Sequence, residues 1–97
     1  MLIVQRTYTP KPGAGGLVGL LKTVSQKTTE AGLPEVKVYR KFLGSHGIIV
    51  TTQKWESIEV YNNSRTMVRQ TTEITSIFEQ IYPLLDSTHV TEILESV

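Results

Sequence analysis

Cysteine is absent from this chain of 97 residues. Disulfides, thiolate nucleophiles and thiolate metal sites are thereby excluded. No apolar run approaches the ~20 residues that span a membrane. The opening "MLIVQR" breaks at Gln5 and Arg6 and does not read as a signal peptide, so the expected compartment is the cytoplasm. Charge of one sign is lacking too. The net charge is +1, the lysines and arginines are scattered, and the few aromatics do not interleave with them. Nucleic acid is therefore not an expected partner. The two histidines lie on different elements with no acidic pair nearby, which leaves no metal signature. "GAGG", residues 13–16, precedes a helix, but its spacing fits neither a Walker loop nor a dinucleotide fingerprint. No cofactor is expected.

What is present is an ordinary mixture, 39% apolar and 20% charged, as in soluble globular proteins. The length fits one domain over residues 1–97. So short a chain buries only roughly 60–65% of its unfolded surface, and a partner subunit would cover more.

The periodicities give an element order. "LIVQRTYT", residues 2–9, reads as a strand. After the breaker cluster "PKPGAGG", Leu17, Leu20, Leu21 and Val24 make one helical stripe, which Gly32 and Pro34 end. "EVKVYRKFL", residues 35–43, and "IIVTTQKW", residues 48–55, flank the turn "GSHG" as a hairpin. Ser57 is placed to cap a helix through about Arg69, with Ile58, Tyr61 and Val68 inward. Ile74, Ile77, Phe78, Ile81 and Tyr82 define another helix, ended by Pro83, and residues 88–97 close the chain as a strand. This is the βαββαβ order of an α+β, ferredoxin-like fold: a four-stranded antiparallel sheet with helices on one face. Its first and third strands are central, and Lys37, Arg40 and Lys41 guard the second as an edge.

Side chains alternate across a sheet, so parity separates its faces. Even positions (Leu2, Val4, Val36, Val38, Phe42, Ile48, Val50, Val90, Leu94) are expected under the helices. Odd positions (among them Ile3, Gln5, Tyr39, Ile49, Gln53, Trp55, His89 and Ile93) are expected on the open face. Arg6 and Arg40 break the even set and are expected to reach solvent near strand ends. A mixed open face with a large aromatic suggests a sheet that meets another sheet.

The residues "YTPKPGAGGLVGLLKTV", 8–24, and "GIIVTTQKWES", 47–57, carry a resemblance. They are similar to the first strand, turn and helix, and to the third strand, of the dimeric α+β barrel superfamily. Its NIPSNAP-like and antibiotic-biosynthesis-monooxygenase-like families are the nearest in pattern. The resemblance covers nearly the whole chain in element order. It implies a homodimer whose open sheet faces pack together around a cavity. In some members it implies oxidation of aromatic polyketides without metal or flavin. Haem-degrading members use asparagine, tryptophan and histidine. Here the first strand offers Gln5 instead of asparagine, and Trp55 ends a strand where theirs lies in a helix, which argues against haem degradation.

On this reading the protein binds a small aromatic or hydrophobic compound. Catalysis, if present, would be cofactor-independent and monooxygenase-like. His89 would be the base, because imidazole titrates near neutrality. Gln5 or Gln53 would donate to an oxyanion, with Tyr39 and Trp55 as ligand-binding walls. "DSTH" is no triad, because strand neighbours point to opposite faces. His46 belongs to a solvated turn. The alternative is a non-catalytic interaction or assembly domain whose open face only mediates dimerisation, with Trp55 packed in that interface.

Overall fold

A computed structural model describes all 97 residues. Strand β1 runs Leu2–Tyr8, helix α1 Leu17–Glu30, β2 Lys37–Arg40 and β3 Ile49–Trp55. Helices α2, Ile58–Gln70, and α3, Thr72–Ile81, follow, then a 3₁₀ turn at Tyr82–Leu84 and β4 at Val90–Glu95. The sheet order is β2-β3-β1-β4, and every neighbouring pair is antiparallel. The fold is the α+β, ferredoxin-like one expected, with β1 and β3 central.

Local chemistry sets the ends of these elements. Helix α1 stops in a Schellman motif. Gly32, at φ +82°, donates to Thr29 O, and Leu33 N donates to Thr28 O. That left-handed turn is open to glycine at no steric cost. Ser57 caps α2 by accepting from Val60 N at 3.3 Å. Extended backbone at Thr71, ψ 98°, separates α2 from α3. The breaker cluster is tied across the domain by Lys11 N to Leu84 O and Asp86 N to Thr9 O, both 2.8 Å.

The core joins β1, β3, α1 and α3. Tyr8, Leu17, Leu21, Val24, Ile49, Ile77, Ile81 and Leu85 pack as one cluster, and no α2 residue belongs to it. Of α2 only Ser64 is buried, and Ile58, expected inward, is exposed. Helix α2 covers the sheet without filling the space beneath it.

Parity holds on β1 and β2 and reverses on β3 and β4. Val4 pairs with Gln53 on one side and Ile93 on the other. Paired residues share a face, so even residues of β1 stand with odd residues of β3 and β4. Ile49, Thr51, Gln53 and Trp55 are consequently buried under the helices. The open face carries Ile3, Gln5 and Thr7 with Val50, Thr52 and Lys54, flanked by Lys37 and Tyr39 on one edge and Val90, Glu92 and Leu94 on the other. Val50, Val90 and Leu94 are thus corrected to the open face, and Ile49, Trp55 and Ile93 to the helix side. Phe42, expected inward, is 97% exposed, because β2 ends at Arg40 and a loop follows.

Candidate functional site

The space left beneath α2 is a cavity of about 390 Å³. Its floor is the helix-side face of the sheet: Arg6 and Tyr8 from β1, Thr51, Gln53 and Trp55 from β3, and His89 just before β4. Leu21, Val24 and Thr28 of α1 and Ile74 and Phe78 of α3 form its apolar walls. Ser64, Arg65 and Val68 line it from α2. Val68 follows Arg65 by three residues and Ser64 by four, so the three share one helix face. The exposed residues Arg69, Glu79 and Tyr82 mark its rim. The volume lies in the usual range for small-molecule sites, and the lining is divided evenly between apolar residues and polar or charged ones.

Two aromatic groups organise the interior. Tyr61 of α2 meets the Trp55 indole edge-on, with centroids 5.4 Å apart. Its hydroxyl accepts from the Arg6 guanidinium at 3.0 Å. Arg65 lies over its ring at 5.6 Å. On the other side, the His89 ring sits 5.1 Å from Tyr8 and stacks 6.2 Å from Tyr82. Two buried polar atoms among these residues have no partner: Trp55 Nε1 and His89 Nδ1. An orphaned buried donor or acceptor is costly and rare in folded proteins. Here two such atoms stand beside one cavity.

Electrostatics keep the histidine neutral. Burial holds His89 below its ordinary pKa, and the Arg6 and Arg65 charges add to that effect. Burial pushes the Tyr8 phenol up, against a smaller opposing pull from Arg6. At pH 7 His89 is therefore an available proton acceptor, and Tyr8 is a neutral hydroxyl.

The five residues singled out from the sequence divide between two surfaces. Trp55, Gln53 and His89 meet at the cavity under the helices. Gln5 and Tyr39 stand on the opposite side of the sheet. Tyr39, half exposed, borders a shallow depression there with Ile3, Thr52 and Lys54. The expected convergence of all five between two open faces is thus corrected: the parity reversal puts one strand thickness between the groups. Trp55 is only 4% exposed within its own chain, which overturns its reading as dimer-interface packing. The Gln53 amide is already committed, donating to Pro34 O at 2.8 Å. It ties β3 to the segment before β2. His46 is exposed in the loop between β2 and β3.

Arg6, Arg65 and Tyr61 were not anticipated as site residues. Arg6 sits mid-strand, half-buried, and points into the cavity instead of reaching solvent from a strand end. Its signal was in view, since a charged residue at an inward strand position needs a reason. Arg65 follows Tyr61 by four residues, one helical turn on. No group of three or more His, Asp or Glu is placed to hold a metal.

No family model matches this sequence, and no curated protein matches it. Solved structures do. A NIPSNAP family protein of unknown function from Agrobacterium tumefaciens superposes with a TM-score of 0.81 at 18% identity, over 99% of this chain and 87% of that one. A NIPSNAP domain protein from Burkholderia xenovorans gives 0.77 at 17%, over 100% and 95%. A structure described as an antibiotic biosynthesis monooxygenase gives 0.78 at 17%, over 100% and 99%. At these identities the likeness is one of fold.

Proposed function

We propose that residues 1–97 act as one domain that binds a small aromatic compound in the cavity beneath α2. The carrying observation is the pair of unpartnered buried nitrogens, Trp55 Nε1 and His89 Nδ1, beside a cavity that apolar, aromatic and arginine side chains line together. Trp55, Tyr8 and Tyr82 offer ring faces and edges to an aromatic body.

The chemistry that suits this site is cofactor-independent oxygenation; one structure of the same fold is described as an antibiotic biosynthesis monooxygenase. Neutral His89 removes a proton from an acidified ring CH₂ group. The carbanion passes one electron to dioxygen, and the radical pair combines into a carbon-bound peroxide. Loss of water leaves a carbonyl, so one oxygen atom enters the product, the other leaves as water, and the substrate is the only reductant. The protein supplies the base and a largely dry pocket. Anthrone tests this reading: an oxygen electrode should record one O₂ consumed per anthraquinone formed. His89→Ala should slow turnover ~10²–10⁴-fold and weaken binding only about 2- to 10-fold, the net worth of one hydrogen bond. No turnover would reduce the protein to a binding module. Failure of aromatic compounds to bind would favour the interaction-domain alternative.

The open face supports a second element of the proposal, a homodimer. Ile3, Tyr39, Val50, Val90 and Leu94 expose apolar surface there that no helix of this chain covers. A contiguous patch of that kind suits a second copy. Light scattering should show a dimer at micromolar concentration and a monomer for Leu94→Asp with Ile3→Asp. A wild-type monomer refutes the interface.

A further inference from the structure

Three of the four arginines in the sequence line one cavity. The only carboxylate beside them is Glu79, exposed at the rim. It pairs with none of them: the ion pairs in the molecule join Lys27 to Glu30 and to Glu73. Arg6 and Arg65 are half-buried and converge on a single phenol, one bonded to the Tyr61 hydroxyl and the other lying over its ring. A guanidinium carries five N–H donors. Arg6 uses a donor only on Tyr61, and Arg65 makes no hydrogen bond within the protein. Two like charges drawn together under a helix, with most donors idle, are short of an anion. Beside them lie two further polar atoms without partners, the Trp55 indole N–H and His89 Nδ1.

We infer that the ligand of this cavity is an aromatic acid whose carboxylate is held between Arg6 and Arg65 while its ring packs on Trp55 and Tyr8. This rests on the cavity being a ligand site, as proposed above, and adds the charge of its occupant. Guanidinium and carboxylate match in planar, two-bonded geometry, a match that a neutral hydroxyl does not offer. His89, held low first by burial, also feels both guanidinium charges at the floor of the cavity.

A matched pair of probes separates binding in the cavity from recognition of the charge. Calorimetry with 2-naphthoate and with 2-naphthylmethanol compares the same ring with and without the charge. The naphthoate should bind at least about 10-fold tighter. Arg6→Gln and Arg65→Gln should each weaken it about 10- to 100-fold, the loss typical of one charge-assisted hydrogen bond, and leave the alcohol unchanged. Arg65→Lys should restore part of the affinity, which separates lost charge from disturbed folding. Equal affinity for the two probes overturns the inference and leaves the cavity reading standing. So does a preference for naphthoate that survives both glutamine variants. Absence of binding by either probe overturns both.

Discussion

Replacing Trp55 by phenylalanine separates a structural tryptophan from one whose donor awaits a ligand. The indole is 4% exposed and its N–H has no partner. Aromatic side chains bury roughly 150–250 Å² each, and the step from indole to phenyl gives up roughly 40 Å² of that, or about 1 kcal/mol at ~25 cal/mol per Å². Against this stands the orphaned N–H, whose removal returns about 1–3 kcal/mol. The ring contact with Tyr61 survives in kind, because phenylalanine keeps an edge and a face. The gain at least offsets the loss, so Trp55→Phe should be neutral to mildly stabilising and in no case cost more than about 1 kcal/mol. A tryptophan with a satisfied donor in a tight core would cost more, because both effects then have the same sign. Urea unfolding followed by circular dichroism reads the difference, since the variant has no tryptophan to report by fluorescence. The same variant should bind 2-naphthoate about 2- to 10-fold more weakly, the net worth of one hydrogen bond. A loss of 3 kcal/mol with unchanged affinity would show that the indole N–H serves the fold and not a ligand.

Two further expectations follow from the site. His89 is held below its ordinary pKa of 6.5, so under mildly acidic conditions the unfolded chain takes up a proton that the folded one refuses. Stability is therefore full above about pH 6.5 and declines as pH falls through it, and His89→Asn should flatten that slope between pH 7.5 and 5.5; an unaltered slope refutes the assignment. Gln53→Leu removes the bond to Pro34 O and should cost about 1–2 kcal/mol, roughly 5–10 °C in melting temperature; an unchanged melting curve means the bond contributes nothing.

The element order was legible because each element carries its own period and its own stop. Gly32, Ser57 and Pro83 act on their immediate neighbours, and no distant contact was needed to read them. The faces of the sheet were legible only within a strand. Whether Val4 meets Gln53 or a neighbour of Gln53 depends on where β1 and β3 pair. That register is set by packing across some fifty residues, so the parity of β1 does not carry over to β3. One misplaced step moved Trp55 and His89 to the wrong side and scattered the expected site. Arg6 was visible as an exception to its own strand, but its meaning depended on Tyr61 and Arg65, which a different element brings to it. Such groups of residues exist only after folding.

Strand β3 presents Ile49, Thr51, Gln53 and Trp55 to the interior, and Val50, Thr52 and Lys54 to the opposite surface. A seven-residue stretch of gene thus carries two interleaved texts, read on alternate codons. A deletion of one codon there would exchange them, sending every word of one into the place of the other. Substitution can revise either text while leaving the other intact. For an engineer, randomising codons 51, 53 and 55 varies the lining of the cavity, and randomising 50, 52 and 54 varies the open face, with neither library disturbing the other's surface.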